Sequence, residues 1–375
     1  MHKDHTKQPY DAAVVGAGPG GLTAVANLLD QGAAKVAWID PSFKAGRVGD
    51  QYREVPSNTR VKLFLEFVNV SPTLAALVKN ATAPNSHTVM TALDPDKGCT
   101  LDYAADLIVF LTRELVKQRS ISVSPVTGLV QMIESKDNSP WKLDVETQAG
   151  RDLMTSLIAH RVVLATGAAP SVPSSPPIPT LDLDLALTPS RLRTSLAQLP
   201  SDSKIAVVGG SHSAILALKN ITDVSPHRPI IHLHRSPLKF AEQKDGWILY
   251  DNTGLKGLAA DWARDVYPFL PHIKRIQLPK DPSGAELISQ QHLVDCSRAI
   301  YAIGYRPNPH PQVMVDGLRQ SLIWDPIGGS LGPRGIYGCG IAFPEQVTDP
   351  AGNVESAVGF WKFMRFVKQI SQSWV

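Results

Sequence analysis

The stretch "YDAAVVGAGPGGLTAVANLLDQGAAKVAWIDPS", residues 10–42, decides how the rest of the chain is read. Residues 10–15 form a short apolar run, 22–29 repeat apolar side chains at helical spacing, and 36–39 are apolar again. Between the first two runs, Gly16, Gly18 and Gly21 satisfy GxGxxG, and Asp40 closes the last. Strand, glycine turn, helix, strand and acid in that order predict a β-α-β unit. Gly16 suits the tight turn, Gly18 lets a backbone approach a pyrophosphate, and Gly21 lets helix and strand pack closely. The helix start offers unpaired N–H groups and about half a positive charge to phosphate. A carboxylate at 40 suits a ribose diol.

Working outward, the same order recurs in "KIAVVGGSHSAILAL", residues 204–218, followed by apolar residues 230–233. The second turn, Gly209-Gly210-Ser211-His212-Ser213-Ala214, has Ser and Ala where the second and third glycines belong. Both are small enough for the turn to form, and Ser213 can offer a hydroxyl to phosphate. No acid follows. The strand ends "HLHRSP", which puts Arg235, beside Ser236, where the first unit has its carboxylate. A guanidinium there suits a 2′-phosphate and is worth about 1.5–3 kcal/mol, so the expected second ligand is NADPH rather than NADH. The plainer reading of Arg235 is a solvated loop charge. His212 stands at the mouth of this turn, either touching nicotinamide or phosphate or as a bystander facing solvent.

Two such units imply an α/β fold with two Rossmann-like dinucleotide-binding domains. Five prolines in residues 170–179 cannot continue a helix or a central strand, so the chain is expected to leave the first domain there. "CSRAIYAIGYRPNP" reads as the return crossing. The expected division is a discontinuous first domain, 1–175 and 296–375, carrying an inserted second domain, 176–295. "KDGWILYDNTGLKGLAADWARDVYP" reads as a surface-exposed insert with an amphipathic helix, a candidate lid or homodimer contact. In "ESAVGFWKFMRFVKQIS", Val358, Trp361, Phe363, Met364, Phe366 and Val367 lie largely on one side of a helix expected to start near Glu355.

A chain of 375 residues has room for both domains, and 43% hydrophobic with 19% charged residues is an ordinary globular composition. The net charge of +3 comes without a basic block, so neither nucleic acid nor a membrane surface is an expected partner. No apolar run reaches the roughly 18 residues of a membrane span. The opening "MHKDHTKQPYD" lacks an apolar core and reads as a short tail rather than a secretory signal. Cys99, Cys296 and Cys339 form no CxxC pair, which points to reduced thiols and a cytoplasmic location. HExxH and GxSxG patterns are absent, so no metal site and no hydrolase is expected.

The intact "GAGPGG", "LATGA" at residues 164–168, the altered "GGSHSA" and "YAIGYRPNP" at 301–309 together resemble the flavoproteins with two dinucleotide-binding domains. The resemblance implies FAD in the first domain and NAD(P)H in the second. It implies FAD contacts at Gly16, Gly18, Pro19, Gly20, Gly21 and Asp40, at Arg47, Tyr52 and Val126, and at Ala165, Thr166 and Gly167. Gly304 and Tyr305 mark a crossing between domains and, with Gly340, Ile341 and Val358, are further implied cofactor contacts. Gly340 and Ile341 fall where the family has Gly-Asp, so the acid that meets the ribityl chain is missing here, and Val358 is carried over from the helix that follows. The second turn, residues 209–214, with Arg235 and Ser236, is the implied NADPH site.

No redox cysteine pair is present, which disfavours the disulfide reductases. "GRVGDQYREVPSNTRVKLFLEF", residues 46–67, is similar to a region of flavin monooxygenases and N-hydroxylases whose Asn-Thr pair lies near flavin and nicotinamide; Asn58 and Thr59 match it. Asn58 is equally readable as a turn residue satisfying its own backbone. The FxGxxxH signature of those enzymes is not found before Lys204. The expected activity is an FAD-dependent, NADPH-using oxidoreductase, monooxygenase-like, acting on a small molecule. The alternatives are a reductase that passes electrons to an organic acceptor and a non-catalytic redox sensor or scaffold. Cys339, flanked by glycines, is either a lone thiol beside the flavin or a small buried core residue.

Overall fold

A computed structural model describes residues 8–147 and 154–374; residues 1–7, most of the expected tail, lie outside the described residues. Five parallel strands make the first sheet. Ala12–Val15 lies at its centre between Val36–Asp40 and Val162–Leu164, with Val123–Thr127 and Ile336–Gly338 at the edges. Every residue of the two strands read first from the sequence is buried. Layers cover both faces of the sheet, so these strands read as continuous apolar runs rather than alternating ones. Helices cover one face, packing Leu22, Phe67, Leu111 and Met364 around Val14 and Trp38. A mixed five-stranded sheet covers the other, setting Val130, Ile133 and Leu143 against Ala13, Ala37 and Ile39.

The second parallel sheet has four strands in the order Ile273–Gln277, Ile230–His234, Ile205–Val208, Arg298–Tyr301. The last of these was expected beyond the boundary at 295, in the first domain. It pairs instead with Ile205–Val208 through Ile205↔Arg298 to Val208↔Tyr301, so the second unit runs one strand further. The crossings are the short antiparallel pair Ala168–Pro170 and Tyr305–Pro307. Both neighbouring strands are buried and apolar, and nothing local tells such a strand which sheet it will join.

Two expectations about peripheral segments are corrected. The C-terminal helix is Phe360–Ile370, and Val354–Ala357 before it is a strand paired with Glu345–Thr348. Phe363, Met364, Phe366 and Val367 face the core with Phe360 and Ile370, while Trp361 is half-buried and Val358 is exposed, outside the helix. Glu355 is buried because its carboxylate accepts Asn252 N–H at 2.9 Å, Asn252 Nδ2 at 3.2 Å and the Thr253 hydroxyl. The insert is therefore docked on the strand that carries Glu355. Lys362 Nζ binds Asp251 Oδ2 at 2.6 Å, and the helix Gly257–Asp265 sinks Ala259, Trp262 and Ala263 into the core of the second unit. Among the described residues no single helix is long and apolar enough to cross a membrane.

Candidate functional site

The first turn is built where the central strand meets the helix Pro19–Asp30. Gly16 has φ +111°, and a Cβ on it would overlap the Ala165 carbonyl, so the turn needs glycine for conformation and for space. Its N–H donates to Ile39 O at 2.7 Å, and its carbonyl accepts Trp38 Nε1–H at 2.9 Å. Asp40 is buried and accepts Ala17 N–H at 2.7 Å, Ser42 N–H at 2.8 Å and Phe43 N–H at 2.7 Å. Much of the capacity expected to meet a ribose is thus spent holding the turn. No side chain caps the helix, and a Cβ built on Gly18 would meet only Ala45 O at 3.8 Å and Gly46 Cα at 3.9 Å, so the space above it is open. Unpaired N–H groups beside that opening fit a pyrophosphate.

The rest of the first cradle lies around this opening. Gly340 packs on the turn, since a Cβ on Gly20 would come 2.9 Å from Gly340 Cα, and Ile341 follows it. Thr166 Oγ1 is buried without a hydrogen-bond partner, next to the Ala165 that touches Gly16. Gly167 O accepts Asn308 N–H at 2.9 Å, tying this loop to the crossing. Val126 is half-buried opposite Ile39, beside the end of the strand that carries Asp40. Cys339 is fully buried with Sγ 3.3 Å from Gly20 O, and burial pushes its thiol up to about 12. It belongs to the core.

The second turn repeats this plan with other side chains. Gly209 has φ +135° and would clash with Ala302 as Gly16 would with Ala165. Gly209 N–H donates to Leu233 O at 2.9 Å, Ser211 leaves the helix His212–Val224 without a side-chain cap, and Ala214 is buried. The register corrects one reading: Val208 lies opposite Leu233, so His234, not Arg235, occupies the place of Asp40. Arg235 and Ser236 come next and are exposed, with Ser236 O accepting His234 Nδ1–H at 2.9 Å beside Gly210. His212 opens the helix with Nδ1 buried and unpartnered; burial, aided by the Lys256 ammonium, pushes its pKa down to about 4.

A hydrogen-bonded chain crosses the junction of the two units. Tyr305 Oη lies 3.1 Å from Tyr52 Oη; Tyr52 donates to Asp184 Oδ1 at 2.7 Å, and Asp184 pairs with Arg47. Arg47 Nε also donates to Ala168 O at 3.1 Å, and Gly304 O accepts Ser171 N–H at 2.9 Å. Burial raises the pKa of both tyrosines, so they stay neutral. Arg47 and Tyr52, expected to touch cofactor, thus bind across the junction of the two units. Asn58 is exposed on the strand Pro56–Arg60, and Thr59 is held by Ser57 Oγ at 2.9 Å. That strand lies against the start of the helix Gly257–Asp265, which brings the pair to the junction but outside the hydrogen-bonded chain.

Asp184, His232 and Tyr267 were missed. Asp184 carries no local signal. His232 had one: in the aligned units it stands where Trp38 stands, opposite the residue two before the first glycine. A cleft of about 890 Å3 lined by Trp141, Arg161, Arg334 and Tyr337 contains no residue of either turn.

Two uncapped glycine turns on two parallel sheets, meeting at one junction, define a flavoprotein of the two-dinucleotide type. The chain belongs to the pyridine nucleotide-disulphide oxidoreductase family, which it matches over residues 10–320, and it is an FAD-dependent oxidoreductase. It is 40% identical over 396 residues to the monooxygenase AgnR1 of Paecilomyces divaricatus, covering 98% of each chain. In fold it is similar to the ornithine hydroxylase of Pseudomonas aeruginosa, with TM-score 0.56, 13% identity, and 98% and 99% of the two chains covered. It is also similar to an FAD-bound cadaverine monooxygenase of Erwinia amylovora, with TM-score 0.52, 13% identity and 88% of each chain covered. Cys99, Cys296 and Cys339 are all free.

Proposed function

We propose that this chain is a monooxygenase-like enzyme that takes its electrons from NADPH and acts on a small-molecule substrate. The observation that carries the reading is the end-to-end match to a monooxygenase in a chain whose two units, each with an uncapped turn, are joined by one half-buried side-chain network. When bound, FAD supplies hydride acceptance and oxygen activation.

The protein's own part is placement. The first turn offers N–H groups to the FAD pyrophosphate, with Trp38 and Asp40 keeping the turn in shape. The second turn offers the same to NADPH, and the exposed Arg235 beside it supplies charge for a 2′-phosphate. Tyr305, Tyr52, Asp184 and Arg47 satisfy one another across the junction of the two units, which fixes how the units face each other. His212, neutral at physiological pH, leaves an unpaired ring nitrogen at the second turn for the ligand. Free, buried thiols at Cys296 and Cys339 suit a reducing compartment such as the cytoplasm.

Mixing the purified yellow protein with NADPH without air tests the reading: rapid bleaching is expected, and an unbleached flavin leaves only a sensor or scaffold. Oxygen uptake matched to an oxygenated product after air is readmitted supports oxygenation. Full coupling to a quinone or dye with no oxygenated product points to a reductase instead.

A further inference from the structure

The two turns share one device that neither glycine pattern reveals. In the first, Trp38 lies opposite Val14 and its Nε1–H donates to the carbonyl of Gly16 at 2.9 Å. In the second, His232 lies opposite Val207, the same place in the unit, with Nε2 2.6 Å from the carbonyl of Gly209. A carbonyl oxygen only accepts, so Nε2 must carry the proton. Nδ1 of a neutral imidazole is then an acceptor, and it lies 2.5 Å from Tyr267 Oη, which must donate. His232 is wholly buried, and burial keeps it uncharged, with a pKa pushed down to about 4.

Tyr267 is itself braced: the Arg275 guanidinium lies 4.4 Å over its ring and also binds its backbone carbonyl. A peptide plane ties a carbonyl to the next N–H on its opposite side. Pulling Gly209 O toward the sheet therefore turns Gly210 N–H outward. In the first turn the equivalent N–H, from Ala17, is taken by Asp40 at 2.7 Å; in the second, the place of that acid is His234.

We propose that His232 is the positioning residue of the second dinucleotide cradle, its Nε2–H fixing the Gly209–Gly210 peptide so that the turn meets the nicotinamide dinucleotide's phosphate, with Tyr267 selecting the tautomer. This rests on the reading of the second turn as the NADPH site.

The test is anaerobic stopped-flow reduction of the FAD-loaded protein over a range of NADPH concentrations, for wild type, Tyr267→Phe, His232→Leu and His232→Gln. Tyr267→Phe and His232→Leu are expected to raise the Kd for NADPH by about fivefold to tenfold. The limiting rate of bleaching should stay within about twofold, the split that marks lost ground-state binding. FAD content should not change, because Trp38 holds the other turn. His232→Gln, whose amide can still donate, should recover part of the loss. Should His232→Leu fail to fold, Tyr267→Phe, which removes one oxygen, carries the test. Wild-type Kd values in both Tyr267→Phe and the folded His232 variants overturn the role of His232 alone. A wild-type flavin that NADPH leaves oxidised overturns the NADPH reading and this inference together.

Discussion

The two glycine turns are the same backbone device held by different chemistry. Each hangs its first glycine N–H on the neighbouring strand, at 2.7 Å in one and 2.9 Å in the other, and in each a Cβ on that glycine would overlap the carbonyl of an alanine just past a third strand. The first is locked by an indole and a carboxylate, Trp38 and Asp40; the second by an imidazole, with no acid. In the first, a Cβ at Gly21 would overlap the Gly16 carbonyl, whereas the second carries Ala214 at that place. The second helix must therefore stand further from its strand than the first. A tighter cradle suits a cofactor that stays, and a looser one suits a ligand that comes and goes.

The largest effect expected from this contrast is at that helix-strand contact. Gly21→Ala should force helix and strand apart, cost at least about 1–3 kcal/mol and strip FAD on gel filtration. Ala214→Gly should cost only about 1 kcal/mol, through helix propensity, with FAD retained. Equal flavin loss in both variants would show that the turns are not packed differently.

Titration separates the turns next. His232 has an ordinary pKa of 6.5 and is pushed down to about 4 by burial. Between those values the unfolded chain takes up a proton that the folded one refuses, so this contribution is complete above pH 6.5 and is lost as pH falls toward 4. The loss is on the order of 3 kcal/mol for so buried a group. His212, shifted the same way by burial and Lys256, adds to it. Thermal melts from pH 7.5 to 4.5 should show a shallower slope in His232→Gln, and an unchanged slope would mean that His232 does not set it.

Arg235→Ala should reduce the preference for NADPH over NADH by roughly ten- to a hundredfold while leaving FAD content alone. An unaltered ratio of the two Kd values would remove Arg235 from the site. The smallest effect concerns Cys339: with its thiol raised to about 12 and wholly buried, it should resist alkylation at pH 8 in the folded holoenzyme. Labelling of Cys339 at the rate of an unfolded control would place it at an open flavin face.

Much of this architecture was readable because it is local. Residues 12–15, 19–30 and 36–40 carry their own periodicity, and a turn needing positive φ at Gly16 or Gly209 announces itself by glycine. Register was less visible: a shift of one residue separates His234 from Arg235, and only strand pairing settles which faces the place of Asp40. The strand Val354–Ala357 alternates exposed and buried residues, a period that the helical pattern directly after it obscured.

By itself, the sequence determined that there are two glycine turns of one plan, which residues form them, and that the chain holds no CxxC pair. The tertiary structure alone decided that Arg298–Tyr301 joins the second sheet, that Glu355 and Lys362 hold the insert, and that Asp184 gathers Arg47 and Tyr52. The physical reason is range. A turn or a helix is settled by neighbours within a few positions, whereas Asp184 meets Arg47 across 137 residues, and that contact exists only once both sheets have packed.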